Sequence, residues 1–519
     1  MPDIILITGD YHIDHPLNAT GILKRVLEGR GFSVDIISKP DWKSDRDFQK
    51  HGKPGLFFGI TSGSMDSLLQ NYTPLKKLRA EDPHHPYNSN VPDRAVIVYA
   101  NKIRELYKGV PIVIGGVEAS LRRFTHYDYL DNKARRSILL DSRADILVYG
   151  AGEYAILEIA ERLKRGADLP GIESTCIVSN NVPQGFTLLP SHEEAVADKE
   201  AFCRMQLLFT NAKLAQPVQN RFILQNKMHD QTTAELDQIF DLPYSRKIPK
   251  EAHDFQAVQF SVISHRGCFG RCNFCSIALH FGDRIISRSE KSILSEIEKI
   301  AAHPDFKGYI DDLGGPSANM YGMDCVKHIK CKSHCLACKN LNRDHKKLIH
   351  LLNESRKIQG IKKVFVRSGI RYDLALESPE YIEVLSKNHI SGCLKIAPEH
   401  FSTRVLKLMN KDNSRFPEFL KIFARLNQPL KQALRYYFIT AHPGSEPKDV
   451  ELLIRELKKL WNVESIQVFT PTPMSVSTCM YYTELNPFTL EPVYVPKSFT
   501  DKKWQKKRIF EVLGLKSSV

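Results

Sequence analysis

Apolar runs of strand length alternate with segments of helix length along most of this 519-residue chain, and this alternation constrains the fold more than any other feature. Such alternation indicates parallel sheets whose strands are joined by helices. Uninterrupted apolar runs are typical of strands buried on both faces. In the first half of the chain they lie near residues 4–7, 34–37, 56–60, 112–114 and 146–148. The length exceeds one ordinary core, so we expect two domains with appendages.

We therefore predict an α/β fold in four segments. Residues 1–190 are expected to form a doubly wound parallel-sheet domain, and residues 191–255 a connector in which prolines interrupt regular structure. Six further strand-like runs alternate with helices between residues 256 and 485, which indicates a partial (β/α)6 barrel. Residues 486–519 form a basic C-terminal tail, for which we favour a helix.

Three cysteines stand at C-x3-C-x2-C spacing after the first strand-like run of the predicted barrel: Cys268, Cys272 and Cys275. Thiolates suit iron–sulfur clusters or zinc. Zinc sites usually combine two ligand pairs separated by a dozen or more residues, and this compact trio has no second pair at that distance. An iron–sulfur cluster is therefore the leading interpretation. Three thiols leave the fourth iron of a cubic cluster free for an outside ligand.

The trio, with Phe274 before its last cysteine, resembles the motif of the radical S-adenosylmethionine (SAM) superfamily. The resemblance implies a 4Fe-4S cluster on Cys268, Cys272 and Cys275, with SAM on the open iron and a reductant protein as electron donor. It also implies reductive cleavage of SAM to a 5'-deoxyadenosyl radical that abstracts hydrogen from an unidentified substrate. The sequence indicates no catalytic residue that acts on this substrate.

Two segments of the predicted barrel are candidates for binding SAM. Gly314 and Gly315 come directly after a strand-like run, and paired glycines let a ligand approach the backbone closely. In radical SAM barrels a glycine-rich strand end commonly receives the amino group of SAM, although Pro316 replaces the acidic residue often found there. Ser368 and Arg371 follow another strand-like run, and the resemblance implies contact with the ribose or the methionine carboxylate. For Arg371 the sequence by itself favours a surface arginine over such a contact.

Over most of its length the chain resembles the YgiQ-like family of radical SAM proteins, whose reaction is unassigned. The resemblance is carried by residues 7–10, 56–63, 266–270 and 314–321. Arg271 stands where we expect glycine in relatives, and a cation beside the cluster would alter its potential.

The N-terminal sheet resembles the flavodoxin-like modules that precede some radical SAM barrels, a few of which bind cobalamin. That subset typically carries D-x-H-x-x-G. Here Asp10 and His12 supply the first half of the motif, and His15 stands in place of the glycine, so cobalamin is not favoured. Dinucleotide and P-loop interpretations lack support because neither glycine motif is present.

A second cysteine group follows the Gly-Gly turn, and its last three members repeat the C-x3-C-x2-C spacing. The group consists of Cys325, Cys331, Cys335 and Cys338, with His328 and His334 nearby. A fourth thiol would close such a site, which suits a structural or electron-relay role. The sequence leaves an auxiliary iron–sulfur cluster, zinc and unmetallated thiols open as alternatives.

Composition is that of a globular protein, 42% apolar and 25% charged, with no apolar stretch of membrane-spanning length. No signal peptide is evident, so we expect a cytoplasmic location, where eleven cysteines are better suited to metal than to disulfides. The net charge of +14 suits an anionic partner. This charge leaves an RNA-binding protein with structural metal clusters as the alternative function. If the protein is an enzyme, the sequence does not decide between a small-molecule substrate and RNA.

Overall fold

The computed structural model describes residues 1–79, 91–325, 331, 335–460, 463 and 465–514. The described chain is a mixed α/β structure, which confirms the predicted fold class. It divides into two compact units. The first contains Met1–Asp230, Leu242–Gln256 and Pro471–Pro492, and the second contains Gln231–Asp241, Ala257–Thr470 and Val493–Val519.

The strands, in chain order, are β1 (Ile4–Thr8), β2 (Val34–Ser38), β3 (Phe57–Thr61), β4 (Ile112–Ile114), β5 (His126–Asp128), β6 (Lys133–Arg135), β7 (Ile146–Val148), β8 (Thr175–Ser179), β9 (Thr187–Leu188), β10 (Leu214–Val218), β11 (Arg221–Gln225), β12 (Ser261–Ile263), β13 (His265–Arg266), β14 (Ile286–Ser287), β15 (Tyr309–Ile310), β16 (Asp312–Gly314), β17 (Lys363–Val364), β18 (Cys393–Glu399), β19 (Ala433–Thr440) and β20 (Ser465–Val468).

The helices are α1 (Ala19–Glu28), α2 (Arg46–Gln49), α3 (Ser67–Asn71), α4 (Ala95–Leu106), α5 (Gly116–Ser120), α6 (Ile138–Asp141), α7 (Glu153–Lys164), α8 (His192–Ala197), α9 (Lys199–Leu208), α10 (Thr233–Asp241), α11 (Ile277–Phe281), α12 (Glu290–Ala301), α13 (Lys346–Ser355), α14 (Tyr372–Ala375), α15 (Pro379–Asn388), α16 (Thr403–Met409), α17 (Phe416–Asn427), α18 (Pro447–Leu457), α19 (Val476–Thr483) and α20 (Phe499–Leu513). Short 3-10 helices span Lys250–Val258, Ala318–Met320 and Cys335–Ala337. Within the described ranges, none of these helices has the length and apolar character needed to cross a membrane.

One sheet organises the first unit, with the strand order β2-β1-β3-β4-β7-β8-β11-β10-β9. Its first five strands are parallel and follow the order of flavodoxin-like sheets, as predicted. Strands β8 and β11 continue the sheet in antiparallel pairing. The hairpin of β10 and β11 lies in the segment predicted as a connector. Pro217 inside β10 obscures the strand pattern, because proline cannot donate to a strand ladder.

Apart from the short antiparallel pair of β13 and β14, the second unit is an open ring of parallel strands. Strand β12 pairs with β16, β15 pairs with β17, and β18, β19 and β20 pair in succession. A parallel bridge between Ile370 and Ile396 connects the segment after β17 to β18. Helices between the strands pack apolar side chains onto the ring, among them Ile293 and Ile297 of α12. This arrangement is the predicted partial barrel, and its carboxyl-terminal strand ends lie at one edge.

The predicted tail helix is present as α20, and Gln505 holds it to the second unit. The side-chain oxygen of Gln505 accepts a hydrogen bond from the backbone N–H of Ala441 at 2.9 Å and lies 3.0 Å from the hydroxyl of Thr440. Its amide group donates to the backbone carbonyl of Ser445 at 2.9 Å. Gln505 is 1% exposed, so these polar groups are satisfied without water.

Replacing Gln505 by alanine should therefore destabilise the second unit. The buried N–H of Ala441 and carbonyl of Ser445 would lose their partner, and each unsatisfied group costs about 1–3 kcal/mol. Denaturant unfolding of Gln505→Ala should show this loss. The neighbouring Lys503→Ala, on the exposed face of the same helix, should change stability by less than about 0.5 kcal/mol. Equal stabilities of the two variants would contradict the anchoring role.

Candidate metal centre

The loop that carries the three cysteines begins at a position that requires glycine. Gly267 has a φ of +81°, and a Cβ atom there would lie 1.8 Å from the carbonyl oxygen of Arg284. The next backbone N–H, that of Cys268, donates to the carbonyl of Gly282 at 3.2 Å. The loop is thus packed against residues 282–284 before its first cysteine, and only glycine permits that approach.

The second half of the loop is bound to the end of helix α16. The backbone N–H of Asn273 donates to the carbonyl of Met409 at 2.9 Å, and the side chain of Asn410 donates to the carbonyl of Arg271 at 2.8 Å. The ring of Phe274 packs against the buried apolar residues of this helix. These contacts hold the backbone on both sides of Cys272.

The thiols of the loop lie around Gly270. A Cβ atom at Gly270 would lie 3.5 Å from the Sγ of Cys268 and 3.8 Å from the Sγ of Cys272. Cys275 follows in a tight turn, in which its N–H donates to the carbonyl of Cys272 at 3.0 Å. In the part of the chain that the structure describes, no three His, Cys, Asp or Glu side chains are grouped as ligands of one metal ion. In a cubic cluster each of three thiolates binds a different iron, so the three sulfur atoms do not have to surround a single metal ion.

The donor set of this loop fits an iron–sulfur cluster. All three cysteines are partly exposed free thiols, and sulfur is the soft ligand that such clusters require. Burial raises the pKa of the Cys268 thiol, against the opposing effect of the Gly270 N–H, and burial raises the pKa of Cys275 to about 12. Because only thiolates bind metal, occupation of the site must release protons from these groups.

Arg371 places its guanidinium against the cysteine loop. Its Nη1 atom is 4.0 Å from the Sγ of Cys272, and its Nε and Nη2 atoms donate to the carboxylate of Asp373 at 3.1 and 2.5 Å. Burial lowers the pKa of the Arg371 guanidinium, but Asp373 more than offsets this effect, so the group stays charged. The side chain is only 10% exposed, so the alternative of a surface arginine is wrong.

The two glycines at the end of β16 are required by packing within the protein. A Cβ atom on Gly314 would lie 2.9 Å from the hydroxyl of Ser368, and one on Gly315 would lie 2.5 Å from the Cε1 atom of His265. Pro316 follows in a partly buried bend. Burial lowers the pKa of His265 to about 4, so a neutral imidazole supports the glycine pair.

The carboxylate of Asp312 fixes the loop that contains Ser368. It accepts hydrogen bonds from the N–H of Arg367 at 2.7 Å, from the N–H of Ser368 at 3.1 Å and from the hydroxyl of Ser368. The structure therefore brings Gly314, Gly315 and Ser368 together, and it groups Arg371 with the cysteines. Sequence reasoning did not identify Asp312 or His265, because no motif marks them and their partners are distant in sequence.

A buried Glu399–Lys411 pair was also missed by sequence reasoning. Glu399 ends β18 with a φ of +68°, and its carboxylate is 3.5 Å from the Nζ of Lys411. Burial raises the pKa of Glu399 against the lowering effect of Lys411, and Glu399 in turn raises the pKa of Cys275. A non-glycine residue at positive φ is uncommon, and the sequence carries no sign of it.

The second cysteine group packs against a buried apolar cluster that the first loop also contacts. We call this cluster the shared apolar cluster, and it consists of Phe269, Ile285, Met320, Met323, Leu341 and Leu374. Cys268 contacts it from the first loop, and Cys325, Cys335 and Cys338 contact it from the second. Cys331 is exposed. His328 and His334, which kept zinc open as an alternative, lie outside the described residues.

In the first unit, the residues of the incomplete cobalamin motif contact other protein groups. Asp10 accepts hydrogen bonds from the N–H and the hydroxyl of Ser64 at 2.6 and 2.7 Å. The Nδ1 of His12 is 3.1 Å from the hydroxyl of Thr20. His15 has no exposed surface, and its Nδ1 accepts from the backbone N–H of Leu17 at 3.0 Å. Asp10, His12 and His15 therefore stabilise the loops at this edge of the sheet through hydrogen bonds to other protein groups.

Comparison with known families and proteins gives matches along most of the chain. The family model described as "Radical SAM N-terminal" matches residues 1–263, "Radical SAM superfamily" matches residues 262–457, and "Domain of unknown function (DUF3362)" matches residues 464–509. The UPF0313 protein of Methanocella arvoryzae is 44% identical over 96% of this chain and 89% of its own length. That of Fusobacterium nucleatum is 41% identical over 98% of this chain and 96% of its own length.

Two solved structures are similar to the whole architecture. The radical SAM methyltransferase TsrM from Kitasatospora setae, with cobalamin and a 4Fe-4S cluster bound, has a TM-score of 0.54 at 16% identity and covers 93% of this chain and 76% of its own. The cobalamin-dependent SAM radical enzyme OxsB has a TM-score of 0.52 at 13% identity and covers 99% and 62%. At such identities the likeness concerns the fold, and it agrees with the predicted α/β architecture.

Replacing Gly267 by alanine should impair metal loading of the first loop. The new Cβ would collide with the Arg284 carbonyl, and the positive φ adds strain of roughly 1–2 kcal/mol. Gly392→Ala is the matched control, because Gly392 has a φ of +86° and nothing lies within 4 Å of the position that its new methyl group would occupy. After anaerobic reconstitution, Gly267→Ala should bind less iron than Gly392→Ala, by up to about four irons per chain, the content of one cubic cluster. Equal loading would contradict this account of the loop.

Acidification should destabilise the second unit. Burial lowers the pKa of His265 and His400 to about 4 and that of His442 to about 3. Below the ordinary histidine pKa of about 6.5 the unfolded chain takes up protons that the folded chain does not, so stability is complete above that value and declines below it. The decline is at most about 1.4 kcal/mol per pH unit for each residue. Melting temperatures should fall steadily from about pH 7 to about pH 5; a constant melting temperature would contradict buried neutral histidines.

Proposed function

We propose that Cys268, Cys272 and Cys275 hold the 4Fe-4S cluster on which SAM is cleaved, because the chain belongs to the UPF0313 family of radical SAM proteins. The predicted YgiQ-like family is confirmed by this membership. The protein is a radical SAM enzyme, and its cofactors are a 4Fe-4S cluster and SAM, as predicted from the sequence.

The observation that supports the proposal is the arrangement of thiols around Gly270 with Arg371 beside them. When bound, the cluster supplies the electron that cleaves SAM to methionine and a 5'-deoxyadenosyl radical, which abstracts hydrogen from the substrate. The loop contacts to Arg284 and Met409 keep the thiols in place. The charged guanidinium of Arg371, 4.0 Å from the Sγ of Cys272, stabilises negative charge on the sulfur ligands.

We assign SAM binding to the strand end formed by Gly314, Gly315 and Pro316, with Ser368 and Arg371 as further contacts. The carboxyl-terminal ends of parallel barrel strands are where active sites form. Gly314 ends such a strand, and the hydroxyl of Ser368 would lie 2.9 Å from a Cβ there. Asp312 and His265 act as positioning residues, because they hold the Ser368 loop and support Gly315.

The electron donor is proposed to be a reductant protein, and the location a cytoplasm that keeps thiols reduced. The structure pairs none of the eleven cysteines in a disulfide, which suits such a compartment. The substrate class, a small molecule or RNA, stays unassigned. The alternative of a purely RNA-binding protein is disfavoured by the most basic segment, α20, because it buries Lys502 and pairs Arg508 with Glu451 at 2.8 Å.

Anaerobic reconstitution with iron and sulfide tests the proposal. The reduced protein should show a paramagnetic signal that changes when SAM is added, and it should produce 5'-deoxyadenosine. Cys272→Ala should abolish both results, whereas Cys393→Ala, a partly buried cysteine outside both groups, should abolish neither. Folded, iron-loaded protein that neither responds to SAM nor forms 5'-deoxyadenosine would reject the function.

Substitution at Gly315 tests the assignment of the SAM site. Gly315→Ala should retain the cluster, because the atoms nearest to its Cβ position belong to His265 rather than to a cysteine, but it should weaken SAM binding at least about tenfold through displacement of the strand end, a cost of roughly 1.4 kcal/mol. The double variant Gly315→Ala with His265→Ala removes the ring that the new methyl group would strike. Recovery of SAM binding in the double variant would trace the defect to that displacement. Unchanged SAM binding in Gly315→Ala would refute the assignment.

A further inference from the structure

The second cysteine group repeats the hydrogen-bonded turn of the first. The N–H of Cys338 donates to the carbonyl of Cys335 at 3.1 Å, and the N–H of Cys275 donates to the carbonyl of Cys272 at 3.0 Å. The two C-x2-C pairs therefore share their spacing and their backbone turn. The turn that holds Cys272 and Cys275 in the first loop therefore recurs at Cys335 and Cys338 in the second loop.

Packing brings three thiols of the second group to one surface. Cys325, Cys335 and Cys338 are all partly buried against the shared apolar cluster. A partly buried group of thiols on an apolar surface is the environment in which iron–sulfur clusters are held.

The unexpected Arg271 belongs to this second group as well as to the first loop. Its guanidinium pairs with Asp283 and places a positive charge in the neighbourhood of Cys335. Arg371 occupies the corresponding place beside the first trio, 4.0 Å from Cys272. Each thiol group thus has its own cation, and a nearby cation offsets the negative charge of a cluster with sulfur ligands.

We propose that Cys325, Cys331, Cys335 and Cys338 hold an auxiliary iron–sulfur cluster. Four thiolates occupy every iron of a cubic cluster and leave no open position for SAM. The repeated turn favours iron–sulfur over zinc, because it reproduces the turn of the loop that is proposed to hold the 4Fe-4S cluster in this same chain. The site is additional to the proposed function, and this choice of metal rests on that function.

Metal content and spectroscopy of loop variants test this proposal. The first-loop variant carries Cys268→Ala, Cys272→Ala and Cys275→Ala, and the second-loop variant carries alanine at Cys325, Cys331, Cys335 and Cys338. After anaerobic reconstitution of the full chain with iron and sulfide, we expect about eight irons per chain without substitution and about four in each variant. The reduced first-loop variant should retain a paramagnetic signal that SAM does not change.

Controls keep the outcome independent of folding and of the enzymatic proposal. Cys393→Ala should retain about eight irons per chain, and circular dichroism should show native helix content in every variant. If the first-loop triple variant is unfolded, Cys272→Ala alone serves in its place. A folded first-loop variant without iron, or a chain with about four irons and one zinc, would overturn the auxiliary cluster. Neither result tests SAM cleavage at the first loop. The second-loop variant tests that reaction separately, because it keeps all three cysteines of the first loop.

Discussion

Confinement of the cysteine loop at both of its ends is the interaction on which the site depends. Gly267 lets the chain pass against the carbonyl of Arg284, and Asn273 ties the other end to Met409. These contacts position the backbone around Cys268 and Cys272, and the turn from Cys272 to Cys275 positions the third thiol. A site organised before its ligand arrives loses less conformational entropy on binding.

Two pairs of oppositely charged, largely buried side chains lie near the thiols of this loop. Arg371 is neutralised by Asp373, and Glu399 lies 3.5 Å from Lys411. Breaking such a pair leaves an uncompensated buried charge, which is costly. The barrel therefore keeps a cation beside Cys272 without the penalty of an isolated charge. Arg371 follows β17, which pairs with β15, the strand directly before the glycine strand β16 in the chain.

The two cysteine groups are related by packing as well as by spacing. Cys268 of the first group and three cysteines of the second group contact the shared apolar cluster. Arg371 is the charged neighbour of the first group, and Arg271 is that of the second. Arg271 departs from the glycine expected in relatives, yet it sits in the loop of one group and acts on a thiol of the other. Arg271 is therefore part of the environment of the second cysteine group as well as of the first loop.

Sequence alone determined the features that depend on local spacing: the strand–helix alternation, the parallel-sheet class, the C-x3-C-x2-C trio and the tail helix. Such patterns are set by neighbouring residues, so they are visible before folding. Only the tertiary structure decided that Arg371 is buried beside Cys272, 99 residues away, that His265 supports Gly315, and that Gln505 binds the end of β19. It also revealed β10, whose Pro217 hides the strand pattern. These features arise from strand pairing and packing between distant segments, which no local periodicity encodes.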